Sequence, residues 1–165
     1  MKKEAQALTN LFFRYLETER RYSQNTIRSY QRDLEHFSVH LQDKKLSRWA
    51  ELKPHHIRTY ASQIFIEGLG AKSIQRRLSA IRSFMNYLLR EGMIKNNPAE
   101  GVKTPKAPKK LPGVLDIQQI SQLLDIQETD PLSLRDKAIM ELIYSSGLRL
   151  SEIVRLNPID LNLSD

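Results

Sequence analysis

Residues 71–90 read AKSIQRRLSAIRSFMNYLLR, and the spacing of their apolar members decides the fold class. Ile74, Leu78, Ile81, Met85 and Leu88 recur three or four residues apart, which is the repeat of one face of an α-helix. Gly92 stands just past the end, where a residue free to turn left-handed closes a helix. Working outward, the same repeat returns three times upstream. Leu8, Leu11, Phe12, Tyr15 and Leu16 mark a first helix, and Ile27, Tyr30, Leu34, Phe37 and Leu41 mark a second, capped by Ser23 or Asn25. Pro54 suits the first turn of a third, which carries Ile57, Tyr60, Ile64 and Phe65 until Gly68 and Gly70 end it. Four helices on short connections predict a compact bundle.

The polar side of 71–90 is as informative as the apolar side. Lys72, Ser73, Arg76, Arg77 and Arg82 stand there with Gln75 and Ser79, and no acid occurs between Ala71 and Arg90. A face that only confers solubility normally mixes signs. The second helix adds Asn25, Thr26, Arg28, Ser29 and Arg32 near its start, where the positive end of the helix also favours phosphate oxygens. Short hydroxyl and amide groups beside arginines suit phosphate positioning with some base contact. Ser23, Asn25 and Thr26 taken singly are equally well explained as caps.

Charge divides along the chain. Residues 1–110 carry 22 Lys and Arg against 10 Asp and Glu, a net of +12, whereas residues 111–165 carry 4 against 9, a net of −5. The positive field belongs to the helical unit and points to a polyanion. Nucleic acid fits better than a membrane surface, because no basic amphipathic helix presents a Trp or Phe face. No apolar run approaches a membrane span, and the start turns charged too early for a secretory signal. The absence of cysteine removes disulfides and thiolate metal sites and fits a cytoplasmic protein.

The shift in charge coincides with NPAEGVKTPKAPKKLPGV, residues 97–114, whose four prolines and two glycines predict an extended, exposed, basic linker. The expected domains are 1–96, a DNA-binding helical unit, and 115–165 beyond the linker. There, Asp116 caps a helix carrying Ile117, Ile120, Leu123 and Leu124. Asp130 and Pro131 begin another, in which Leu134, Ala138, Ile139, Leu142, Ile143 and Tyr144 are expected to be buried. SSGLR interrupts it: Gly147 permits the turn, Leu148 and Leu150 anchor the flanks, and Ser151 is expected to cap the short helix SEIVRL. Arg149 leaves this corner with a planar, permanently charged fork suited to two phosphate oxygens and to a pentacoordinate transition state. A lone arginine at a helix junction is also a common structural salt bridge, here with Glu152.

Several stretches together resemble the tyrosine recombinase, or phage integrase, family: YSQNTIRSYQRDL, GLGAKSIQRRLSAIRSFMNYLLREGMIKNNPA, TPKAPKKLP and LLDIQETDPLSLRDKAIMELIYSSGLRLSEIVRL. The likeness runs through the available length and is greatest to bacterial recombinases that resolve chromosome dimers at cell division. It implies a mainly α protein, with an N-terminal four-helix SAM-like core-binding domain followed by the first helices of a truncated catalytic domain. It further implies that Arg149 is the first catalytic arginine, holding the scissile phosphate, and that Glu152 supports it from behind. Strand exchange by transesterification through a 3′-phosphotyrosyl bond retains bond energy, so neither metal nor nucleotide cofactor is expected.

The same resemblance places the family's β-hairpin lysine, its HxxR pair, its later His or Trp and its attacking tyrosine beyond Asp165. Tyr60 and Tyr144 fit apolar stripes and are not substitutes. His36, His40, His55 and His56 lack an acidic third ligand, so no metal site is expected. A second, related recombinase in a heterotetramer is the implied partner of a full-length protein. Another class stays open beside this one: a small non-catalytic DNA-binding or architectural accessory protein.

Overall fold

The computed structural model describes residues 4–44, 46, 48–105, 113–127 and 129–160, and every regular element among them is helical. The chain divides into two units, residues 1–109 and 110–165. The first unit is built from α1 (Glu4–Thr18), α2 (Gln24–Asp43), α3 (Pro54–Ile66) and α4 (Ala71–Arg90), with a 3-10 turn at Trp49–Glu51. Its helix ends follow the local chemistry. Ser23 is extended and its Oγ accepts from the Thr26 N–H, which satisfies one of the free donors at the start of α2. Gly68 and Gly92 both adopt positive φ just past α3 and α4, a region where a side chain would clash.

The predicted stripes meet in one core. Phe12 and Leu16 of α1, Leu34, Phe37 and Leu41 of α2, Ile57, Tyr60 and Ile64 of α3, and Ile74, Leu78, Ile81, Met85 and Leu88 of α4 are all buried, and Phe84, outside the predicted stripe, is buried with them. Phe84 lies 5.2 Å from Phe12 and 5.0 Å from Trp49, so one α4 ring ties α1 to the turn after α2. Each such side chain removed from water contributes about 1.5–3 kcal/mol. Two expected stripe residues differ: Leu11 and Phe65 remain 49% and 63% exposed. Each is next in sequence to a buried residue, Phe12 or Ile64, and about 100° of helical rotation carries it to the edge of the apolar arc.

The exposed linker expected from residue 97 does not begin there. Asn97 is buried, its amide donating to the Arg82 carbonyl and to Asn86 Oδ1 while its own Oδ1 accepts from the Ala99 N–H. Ala99 and Val102 are buried in the core, and Gln75 Nε2 donates to the Pro105 carbonyl. Residues 97–105 thus run back along α4. The proline and lysine run that follows, 106–112, lies outside the described residues.

The second unit contains α5 (Ile117–Leu124), α6 (Pro131–Ser146), α7 (Leu150–Ile153) and a 3-10 turn at Pro158–Asp160. Asp116 and Asp130 cap α5 and α6 as expected, each carboxylate accepting backbone N–H groups. Gly147 closes α6 in the left-handed region. The expected core of α6 is not realised, since no described side chain of this unit is buried; Leu134, Ala138, Ile143 and Tyr144 are exposed, and Ile139 and Leu142 are half-buried. Tyr144, expected as a packed core residue, is 58% exposed. Helices of eight, sixteen and four residues offer each other too little surface to close a second layer.

Candidate nucleic-acid interface and the Arg149 corner

Helices α2 and α4 pack together, and their contact brings the two basic groups onto one face. Arg76 Nη1 lies 3.4 Å from the Ser29 carbonyl, and the same nitrogen pairs with Asp33. Lys72 and Ser73 sit one turn before Arg76, as Asn25 does before Ser29. Along α2, Asn25, Arg28, Ser29 and Arg32 fall at helical spacing on one side, where they line an open groove with Gln31 and Glu35. Arg28, Arg32 and Lys72 are exposed and have no ion-pair partner among the described residues. Thr26, in contrast, is turned to the cap, its hydroxyl 2.9 Å from Ser23 Oγ.

The arginines of α4 are less alike than their sequence suggests. Asp33 is only 2% exposed and sits beneath both Arg76 and Arg77. Burial pushes its carboxyl above the ordinary range, with the Arg76 guanidinium, then Arg77 and Arg32, pulling the other way. Arg77 is largely covered; its Nε stays 3.7 Å from Asp33, too far for a hydrogen bond, and its Nη1 donates to Tyr60 Oη at 3.2 Å. Tyr60 is then free to donate to His36 Nδ1 at 3.1 Å. Burial, ahead of the opposing Arg77 contact, raises the Tyr60 hydroxyl above its usual value.

Arg82 faces the returning chain, with Nε and Nη2 each 3.4 Å from the carbonyls of Ala99 and Val102. Of the five cations and hydroxyls singled out on α4, Lys72 and Ser73 therefore offer free polar ends. Arg76 is shared with Asp33, and Arg77 and Arg82 are held inside the unit. No periodicity could have separated them, because the partners are 17 to 47 residues away in the chain.

His40 and His56 serve the fold. His40 is buried with its ring 5.1 Å from that of Tyr60, and His56 Nδ1 accepts from the Lys53 N–H at the start of α3. Desolvation, then His55 and Lys53, lowers the His56 value and favours that neutral acceptor.

In the second unit Arg149 itself is the N-cap of α7, where Ser151 was expected. The corner forms two residues early because Glu152 closes it: its Oε2 accepts from the Arg149 N–H at 2.7 Å and its Oε1 from Nη1 at 3.1 Å. Those two bonds, the backbone one foremost, hold the Glu152 carboxyl below its ordinary range. Arg149 is 82% exposed, not confined, and only one of its terminal nitrogens is engaged. The guanidinium keeps an open edge for two acceptor oxygens.

Helical bundle, basic α2–α4 face and an arginine steadied by a glutamate together define a class. Residues 9–92 match the phage integrase N-terminal SAM-like domain and residues 113–165 match the phage integrase family, so the chain belongs to the phage integrase family of tyrosine recombinases. More particularly, it is similar to tyrosine recombinase XerC. The Psychromonas ingrahamii protein is 43% identical over 159 residues, covering 96% of this chain and 53% of that protein. The Histophilus somni protein is 44% identical over 156 residues, covering 94% and 53%. The chain spans about half the length of the curated relatives it matches. Among solved structures, the Tn1549 transposon integrase in complex with circular intermediate DNA superposes with a TM-score of 0.67 at 18% identity, over 95% of this chain and 51% of that one.

Proposed function

We propose that this chain is the DNA-gripping portion of a XerC-like site-specific tyrosine recombinase. The observation that carries the reading is the convergence of Asn25, Arg28, Ser29 and Arg32 on α2 with Lys72, Ser73 and Arg76 on α4, a face on which Asp33 is buried under its own arginines and the cations outnumber the exposed acid of the groove, Glu35. Phosphates of duplex DNA supply the complementary charge, and the hydroxyl and amide groups fix register. Thr26, Arg77 and Arg82 support this surface from within.

In a complete recombinase, Arg149, steadied by Glu152, binds two nonbridging oxygens of the scissile phosphate and offsets the charge that grows on them. A tyrosine oxygen bonds to phosphorus as the bond to the 5′-oxygen breaks, and the leaving oxygen takes a proton. A 5′-hydroxyl from the other strand then attacks the 3′-phosphotyrosyl ester and releases the tyrosine. One ester replaces another, so the exchange needs neither metal nor nucleotide. Tyr60 is fully buried and is not the attacking group. The reading extends to chromosome dimer resolution at cell division in the cytoplasm, with a XerD-like recombinase as partner in a heterotetramer. Among the described residues no helix is long and apolar enough to cross a membrane.

Binding to a mixed-sequence duplex tests the first part. Log affinity is expected to fall with log salt by about 0.9 for each phosphate neutralised, and a flat response would remove the phosphate reading. The second part is checked in a chain carrying the whole catalytic domain, where Arg149→Ala should abolish covalent attachment to DNA while site binding persists.

A further inference from the structure

The turn between α1 and α2 contains the sole non-glycine residue of positive φ among the described residues, Arg21 at +50°. Side chains avoid this region because Cβ crowds the backbone, and glycine or asparagine normally fills such a place at the end of a helix. The turn is tightly tied. Glu19 and Arg20 N–H groups both reach the Tyr15 carbonyl, and Tyr22 N–H reaches that of Leu16 at 2.9 Å. Nothing in these bonds uses the Arg21 side chain.

The acids of the turn are also taken. Glu17 accepts from Gln24 at 2.6 Å, and Glu19 pairs with Arg90 at 3.2 Å. Arg21 is exposed and makes no ion pair among the described residues. The next residue, Tyr22, is packed edge-on against Tyr30 at 6.2 Å, and Tyr30 lies within the field of Asp33 and Arg76. The turn is therefore seated beside the α2–α4 face. A backbone position suited to glycine holds an uncommitted cation at the margin of a basic surface.

We propose that Arg21 is a further phosphate-contacting residue, presented to duplex DNA by the left-handed turn ahead of α2. The proposal rests on the duplex-DNA reading of the α2–α4 face. Its signature is that backbone and function pull in opposite directions: glycine relaxes the turn and deletes the charge, whereas lysine keeps the charge.

The test compares Arg21→Gly, Arg21→Lys and Arg32→Ala in the whole 165-residue chain, titrated with a mixed-sequence duplex over a salt series. Arg21→Gly should melt on the order of 2 °C higher yet bind more weakly, with a salt slope shallower by about 0.9. Arg21→Lys should retain the slope. Unchanged binding in Arg21→Gly beside a shallower slope in Arg32→Ala would reduce Arg21 to a turn residue and overturn the proposal alone. Flat responses in both variants would remove the DNA face itself. A lower melting temperature for Arg21→Gly would show that the arginine serves the fold, which also overturns the proposal.

Discussion

The two units use the same helical vocabulary with opposite results. In the described part of residues 1–109 the apolar stripes of α1 to α4 close on one another and, with Trp49, Leu52, Ala99 and Val102, make a core of twenty-one buried apolar residues, while in the described part of 110–165 the stripes of α5 and α6 remain open to water. Stripe quality alone does not explain this: α6 is less one-sided than α4, but α5 is at least as one-sided and still buries no residue. What differs is the opposing surface: a helix face becomes core only against another face of similar extent. The charge contrast follows a related rule, because a well-formed core frees the outer faces of α2 and α4 for uncompensated cations.

The strongest test of that contrast is a matched pair of truncations. Phe84→Ala should destabilise the first unit by about 3–5 kcal/mol, whereas Leu142→Ala in the same chain should cost under about 1 kcal/mol, measured by urea unfolding with a probe in each unit. Equal losses would mean that α6 is packed in solution. Next in size is Asp33→Asn. Desolvation already works against this buried carboxylate, so its loss should cost about 1–2 kcal/mol, less than the roughly 3–5 of a fully buried pair. The same change releases Arg76 and should steepen the salt dependence of DNA binding; a shallower slope would mean that Asp33 is needed to aim it.

Smaller effects are expected from single cations of the face. Arg28→Ala and Arg32→Ala should each weaken duplex binding evenly across sequences and lower the salt slope by about 0.9, with melting unchanged. The smallest effect concerns the Arg149 corner. Glu152 should titrate below the ordinary carboxylate range, so its contribution is complete at neutral pH and is lost as pH falls through that depressed value. In Arg149→Ala the titration, followed by carboxyl NMR, should move only part of the way back, because the stronger backbone bond at residue 149 survives. Full recovery would assign the depression to the guanidinium instead.

Much of the fold was legible because its signals are local. Ser23, Asp116 and Asp130 announce helix starts through bonds made within three residues, and Gly68, Gly92 and Gly147 announce ends through backbone freedom alone. The candidate site was legible as a group and not residue by residue. Arg76, Arg77 and Arg82 look equivalent in sequence, yet one is shared with Asp33, one is sunk beside Tyr60 and one clasps residues 99–102. Arg21 escaped attention because its distinction lies in a dihedral angle and in the prior engagement of Glu17 and Glu19, neither of which has a compositional trace.

By itself the order of residues determined the helices, the division of charge and the place of Arg149 next to a glycine break. These depend on propensities, caps and spacing that act across a few positions. Only the tertiary structure decided which arginines are free, where the chain after Asn97 runs, and that α6 carries an open stripe. Those outcomes depend on which surfaces and charges meet across tens of residues, a matter of packing competition that no single stretch encodes.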